Sequence, residues 1–131
     1  MVFEGQILGK PTDRSDAHAM LTTLSNKTHS VFTGVSVLKN IDGKNMAHHQ
    51  FTVETKVTFS ALSDGEIDAY IATGSPMDKA GAYGIQDDWG AAFLKEVHGD
   101  FYNVVGFPLN KFYQEMKTLE PELFKQQESS F

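Results

Sequence analysis

Asp78-Lys79-Ala80-Gly81-Ala82-Tyr83-Gly84-Ile85-Gln86 places a carboxylate, an ammonium and a side-chain amide on one short segment loosened by two glycines. Glycines let backbone N–H groups approach an anion closely, and a lysine neutralises phosphate charge. The amide of Gln86 donates and accepts together, which suits reading the edge of a base. By residue type and spacing alone, a surface turn with ordinary polar side chains fits equally well. A second lysine, Lys10, stands in the break Gly9-Lys10-Pro11. Ligand sites of α/β proteins gather at such strand ends, although exposed turn lysines are common.

Other chemistries find no support. There is no GxxxxGK[ST] loop and no dinucleotide fingerprint. The histidines are His18, His29, His48, His49 and His98. Adjacent His48 and His49 cannot make a helical metal pair, and neighbours on a strand point to opposite faces. No GxSxG elbow occurs. The absence of cysteine excludes disulfides, a thiolate nucleophile and Cys-ligated metal. With 17 acidic against 11 basic residues and a net charge of −6, there is no broad positive field for a nucleic-acid polymer. A compact site for one nucleotide is compatible with that balance. Met1-Val2-Phe3-Glu4-Gly5-Gln6 lacks the basic region and apolar run of a signal peptide, and no apolar stretch has the length of a membrane span. The expectation is a soluble cytoplasmic domain with no membrane partner.

The elements that must position these residues are legible from periodicity. The 131 residues, 40% of them hydrophobic, predict a single domain. Val2-Phe3 and Ile7-Leu8 read as a strand, a turn and a short return whose first strand leaves a sheet edge unpaired. Thr12 or Asp13 can cap a helix with Ala17, Met20, Leu21 and Leu24 on one face. Val31, Thr33, Val35 and Val37 share one side of a strand, Asp42-Gly43 marks a turn, and Phe51, Val53, Thr55, Val57 and Phe59 alternate along the return. The polar side of that ribbon carries Thr52, Glu54, Lys56 and Thr58. Ser63 and Glu66 have capping-box spacing before a helix with Ile67, Tyr70 and Ile71 inward, and Gly74 and Pro76 end it. Residues 78–90 read as an irregular loop, Ala92 to Val97 as a strand, and Pro108 as the start of a last helix through Leu119. Phe101, Tyr102, Phe107, Phe112 and Tyr113 read as core. The fold class is α/β, with the domain at 1–120 and a frayed polar tail at 121–131.

Four blocks in order carry a resemblance to a known family: Ile7-Leu8-Gly9-Lys10-Pro11; Leu24-Ser25-Asn26-Lys27-Thr28-His29-Ser30-Val31-Phe32-Thr33-Gly34-Val35; Thr73 through Gln86; and His98-Gly99-Asp100-Phe101-Tyr102-Asn103-Val104-Val105-Gly106-Phe107-Pro108-Leu109. Together they resemble the Maf-type nucleoside triphosphate pyrophosphatases. The wording is also similar to the Maf-like domain of animal acetylserotonin O-methyltransferase-like proteins. The resemblance implies a mixed sheet with flanking helices. It also implies hydrolysis of a nucleoside triphosphate between the α and β phosphates, aided by a divalent cation, magnesium or manganese. It implies Lys10 and Lys79 as phosphate contacts and Gln86 as a base contact, with Glu54, Lys56 and Asp78 in a polar wall or metal shell.

Two departures qualify what the resemblance implies. Ser75 stands where the family often has glutamate. The family's Ser-x-Ser-Pro-Arg-Arg loop, and the Gly-Ala-Asp-Thr stretch whose aspartate is taken as general base, are not in this sequence. The expectation is therefore a domain lacking the family's N-terminal section, with its catalytic residue unassigned. It is either a pyrophosphatase or an inactive domain that binds nucleotide or regulates a full-length partner. The ribbon's dry face, with Val31, Val35, Val53, Val57 and Phe59, would then recruit a second copy, giving a homo-oligomer.

Overall fold

A computed structural model describes residues 1–122, so the expected tail lies outside the described residues except for its first two positions. The chain runs β1 (Val2–Phe3), β2 (Gln6–Ile7), α1 (Arg14–Leu24), β3 (Thr28–Asn40), β4 (Met46–Phe59) and α2 (Asp64–Ala72). Two 3-10 turns follow, Ser75–Asp78 and Ala80–Ala82, then α3 (Asp88–Phe93), β5 (Leu94–His98), α4 (Phe101–Val105) and α5 (Leu109–Leu119). The strands form one open sheet in the order β2-β1-β3-β4-β5. The α/β architecture is as expected. Every pairing among the described residues is antiparallel, so strand directions are not mixed.

Glu4 and Gly5 both take positive φ, 48° and 78°, and fold β2 back on β1 with Val2 opposite Ile7. Because Val2 also pairs with Ser30, β1 is interior, and the unpaired edge expected at the first strand falls on β2 instead. The β3–β4 ribbon runs in one register from Thr28↔Thr58 to Asn40↔Met46. Asp42 closes its tip by accepting from the N–H groups of Lys44 and Asn45, which holds its carboxyl below the usual range.

Antiparallel partners share a face, so Val31, Thr33, Val53, Thr55, Val57 and His29 point one way while Phe32, Glu54 and Lys56 point the other. The first face carries the core. Asp13 caps α1 by accepting from the Asp16 N–H, and Ala17, Leu21 and Leu24 are buried. The capping box of Ser63 and Glu66 starts α2, which buries Ile67, Tyr70 and Ile71 against the same cluster. Val57 and Phe59 are fully covered by this chain's own elements, whereas Val31, Val35 and Val53 are half-buried. The ribbon therefore needs less cover from a second copy than its sequence implies.

Two helices differ from expectation. Asp88–Phe93 is α3, which takes the first two residues of the expected strand, so β5 begins at Leu94. It is set by tertiary contact: Phe93 is buried edge-on to Tyr70, with ring centroids 5.4 Å apart. Helix α4 follows Asp100, whose Oδ1 accepts from the N–H groups of Tyr102 and Asn103. The aromatic set read as core is not core. Phe101, Tyr102, Phe107 and Tyr113 are all exposed, and α5 buries no residue fully. Hydrophobic spacing marks a stripe on a helix but not whether anything covers it. Polar contacts tie α5 to the ribbon tip, with His49 Nε2 2.8 Å from Glu115 Oε2 and Lys39 paired with Glu120.

Candidate functional site

The turn that follows α2 builds the site. Gly74 takes φ 77° and reverses the chain, and Pro76 is buried in the first 3-10 turn. Gly81 and Ala82 then take φ 72° and 66° in succession. Only glycine adopts that backbone freely, so the buried Ala82 is a strained position held by its surroundings. The Gly81 N–H donates to the Gly9 carbonyl at 3.0 Å, pinning the loop to the break before α1.

Gly90 is required by close approach to backbone, whereas Gly84 is crowded only by side chains. A Cβ on Gly90 would lie 1.9 Å from the Gly84 carbonyl oxygen. One on Gly84 would meet the Lys79 side chain at 2.7 Å and Asp87 Oδ2 at 2.8 Å. Helix α3 thus seats directly on the loop backbone, and Lys79 lies across Gly84.

Lys79 Nζ donates to the Ser75 carbonyl at 2.8 Å, to Ser75 Oγ at 3.2 Å and to Asp78 Oδ1 at 3.2 Å. It stands 3.6 Å from Asp87 Oδ2. That oxygen also accepts from the Ser75 hydroxyl at 2.6 Å and from the Tyr70 hydroxyl at 2.9 Å, while the Tyr70 oxygen accepts from the Gly84 N–H at 3.0 Å. The Ser75 bond, then Tyr70 and the Lys79 charge, hold the Asp87 carboxyl below its usual range against partial burial. Burial, reinforced by Asp87, raises the Tyr70 hydroxyl, which therefore stays protonated and donating. The carboxylate at position 87 stands against the serine at position 75, so the site keeps an acidic partner for Lys79.

A cavity of about 380 Å³ opens beside this network, and Lys79, Gln86, Asp87 and Asn103 all line it together with Val31 and Thr33 of the sheet. It is bounded by a cation, two amides, one carboxylate and the strand residues Val31 and Thr33. A larger groove of about 800 Å³ lies between the ribbon tip and α5; it is lined by His48 and His49 but by none of the candidate phosphate, base or metal contacts.

The structure brings Lys79 and Gln86 together, with Asp78 exposed beside Lys79. Lys10 is exposed and outside the cavity lining, although Gly9 before it is bonded to the loop. Glu54 and Lys56 are on the opposite face of the sheet, because the pleat sends odd and even positions of β4 to different sides. Glu54 accepts there from Ser30 Oγ at 2.7 Å. Asp87 and Asn103 had no role in the sequence reading, Tyr70 read only as an inward helix residue, and Ser75 only as a departure from the family pattern. Asp87 directly follows Gln86, but nothing in its spacing announces a contact with Ser75 twelve residues earlier.

Among the described residues no group of three or more His, Asp or Glu is placed to hold a metal. A magnesium-type ion bound through substrate phosphates uses only one or two carboxylates. Asp78, 81% exposed and beside Lys79, is a hard oxygen donor of that kind. Among the described residues no helix is long and apolar enough to cross a membrane.

The sheet carries its core on one face, and beside the glycine-braced loop a cavity gathers the Lys79 ammonium and the amides of Gln86 and Asn103, groups chemically able to contact a phosphate and a base. The model of the Maf-like protein family matches residues 1–119, and the chain belongs to that family. It is 48% identical over 119 residues to the dTTP/UTP pyrophosphatase of Agathobacter rectalis, covering 91% of this chain and 58% of that protein. The enzyme of the same name from Clostridium novyi is 48% identical over 114 residues, 87% of this chain and 58% of the relative. That of Lacticaseibacillus casei is 46% identical over 122 residues, 93% and 63% respectively. The chain thus spans less than two thirds of the length of these relatives.

Proposed function

We propose that this chain serves the hydrolysis of a pyrimidine nucleoside triphosphate, dTTP or UTP, between the α and β phosphates. Water adds to the α phosphorus, the bond to the bridging oxygen breaks, and nucleoside monophosphate and pyrophosphate leave. The convergence of Lys79 and Gln86 on one cavity carries this reading, and the names of the relatives supply the substrate.

Lys79 would exchange its contacts to Ser75 for phosphate oxygens and offset their charge. Asp87, engaged through Oδ2 and held ionised, positions that ammonium instead of accepting a proton. Gln86 faces the base. A divalent cation, where bound, would rest on Asp78 and the substrate and would neutralise phosphate charge there.

Pyrophosphate release from dTTP and UTP, with magnesium or manganese present, tests the reading. Lys79→Ala should weaken nucleotide binding by roughly 1.5–3 kcal/mol, the range for a charge-assisted contact. Calorimetry on wild type and variant measures it, and equal affinities would make Lys79 an ordinary surface lysine.

A further inference from the structure

We propose that the side-chain oxygen of Asn103 is the acceptor that reads the N3–H of a uracil or thymine base in the Lys79 cavity. This rests on the nucleotide reading above and assigns its base selectivity to a residue of α4. Asn103 is 1% exposed and lines the cavity.

The amide has only one orientation available to it. Its nitrogen lies 3.0 Å from the Val31 carbonyl oxygen and 3.2 Å from that of Val53. Both are acceptors only, so the donor end must face the sheet. Thr55 Oγ1, 3.1 Å from the same nitrogen, gives its proton to the Asp100 carbonyl and presents a lone pair to Asn103. With the nitrogen committed, Oδ1 is buried and has no hydrogen-bond partner in the protein. Buried acceptors of this kind are uncommon in folded proteins and cost stability when left unmet. Asn103 lines the cavity, so a ligand donor that displaces the side chains covering Oδ1 would pair with this acceptor.

A fixed acceptor discriminates where a mobile amide cannot. Gln86 is exposed and can present either end of its amide. Asn103 cannot turn without facing its oxygen toward two strand carbonyls. Uracil and thymine carry a proton at N3, whereas cytosine carries a lone pair there, which would oppose Oδ1. Sites built to pair a substrate N–H reject analogues lacking it strongly, because the protein's own polar atom is left bare.

The test is calorimetry with magnesium and the α,β-methylene triphosphates of uridine, cytidine and 3-methyluridine, which resist hydrolysis. The uridine compound should bind wild type about tenfold or more tightly than the other two. In Asn103→Ala that preference should shrink to within about threefold, chiefly through lost uridine affinity. Comparable affinity of wild type for the uridine and 3-methyluridine compounds overturns the role of Asn103 and leaves the nucleotide reading standing. Binding of none of the three overturns both. Because Asn103→Ala also removes bonds to the sheet and can unfold the domain, a second readout uses wild type alone. The N3 proton of the bound, 15N-labelled uridine compound should be protected from solvent exchange in NMR spectra. Exchange as fast as in free nucleotide would overturn the proposal.

Discussion

Replacing Phe59 by alanine should remove about 3–5 kcal/mol of stability, the usual cost of emptying a buried aromatic site. Phe59 is 0% exposed and ends β4, where its N–H donates to the Lys27 carbonyl at 3.0 Å. Its ring stands edge-on to Tyr83 at 4.8 Å and to His29 at 5.4 Å between centroids. It therefore joins the ribbon, the helix layer and the loop bearing Lys79 in one packed unit. Domains of this size are typically stable by about 5–15 kcal/mol, so the change takes a large share. Urea denaturation measures it, and a loss below about 1 kcal/mol would mean that Phe59 is not the keystone of this core.

The second large effect is a pH dependence from His29. This side chain is 2% exposed, with Nε2 2.7 Å from the Tyr83 hydroxyl and Nδ1 unpartnered. Burial, then the positive Met1 amino group, lowers its pKa from 6.5 to about 4. Between those values the unfolded chain takes up a proton that the folded chain refuses, so stability falls as pH falls. The contribution is fully present above pH 6.5 and is lost as pH drops to about 4. At 1.36 kcal/mol per unit it amounts to about 3 kcal/mol. Urea midpoints across this window should decline for wild type and flatten for His29→Asn. A wild-type profile as flat as that of the variant would place His29 in a wetter setting than the structure gives it.

The parts legible in the sequence are those whose order is local. Alternation along β3 and β4 and the three-to-four-residue rhythm of α1 and α2 depend on neighbours in the chain, and Asp13, Ser63 and Glu66 mark their helix starts with side chains that cap the backbone. Helices α3 and α4 are too short for a period to register, and long-range contacts hold them: Phe93 on Tyr70, and Asn103 on the carbonyls of Val31 and Val53. Lys79 and Gln86 could be singled out because their residue types suit phosphate and base. Their supporting groups could not, since Tyr70, Ser75 and Asp87 meet only after the chain reverses at Gly74. The aromatic residues of 101–113 show the opposite limit. Their apolar character is plain in the sequence, but their exposure depends on what the fold brings near.

The most direct test of the account is a crystal structure of this chain with α,β-methylene-UTP and magnesium. The uracil ring should lie inside the cavity lined by Gln86 and Asn103, with the triphosphate against Lys79 and the Lys79 bonds to Ser75 exchanged for phosphate oxygens. A nucleotide bound elsewhere on the chain, with Lys79 still closed onto Ser75 and Asp87, would contradict it.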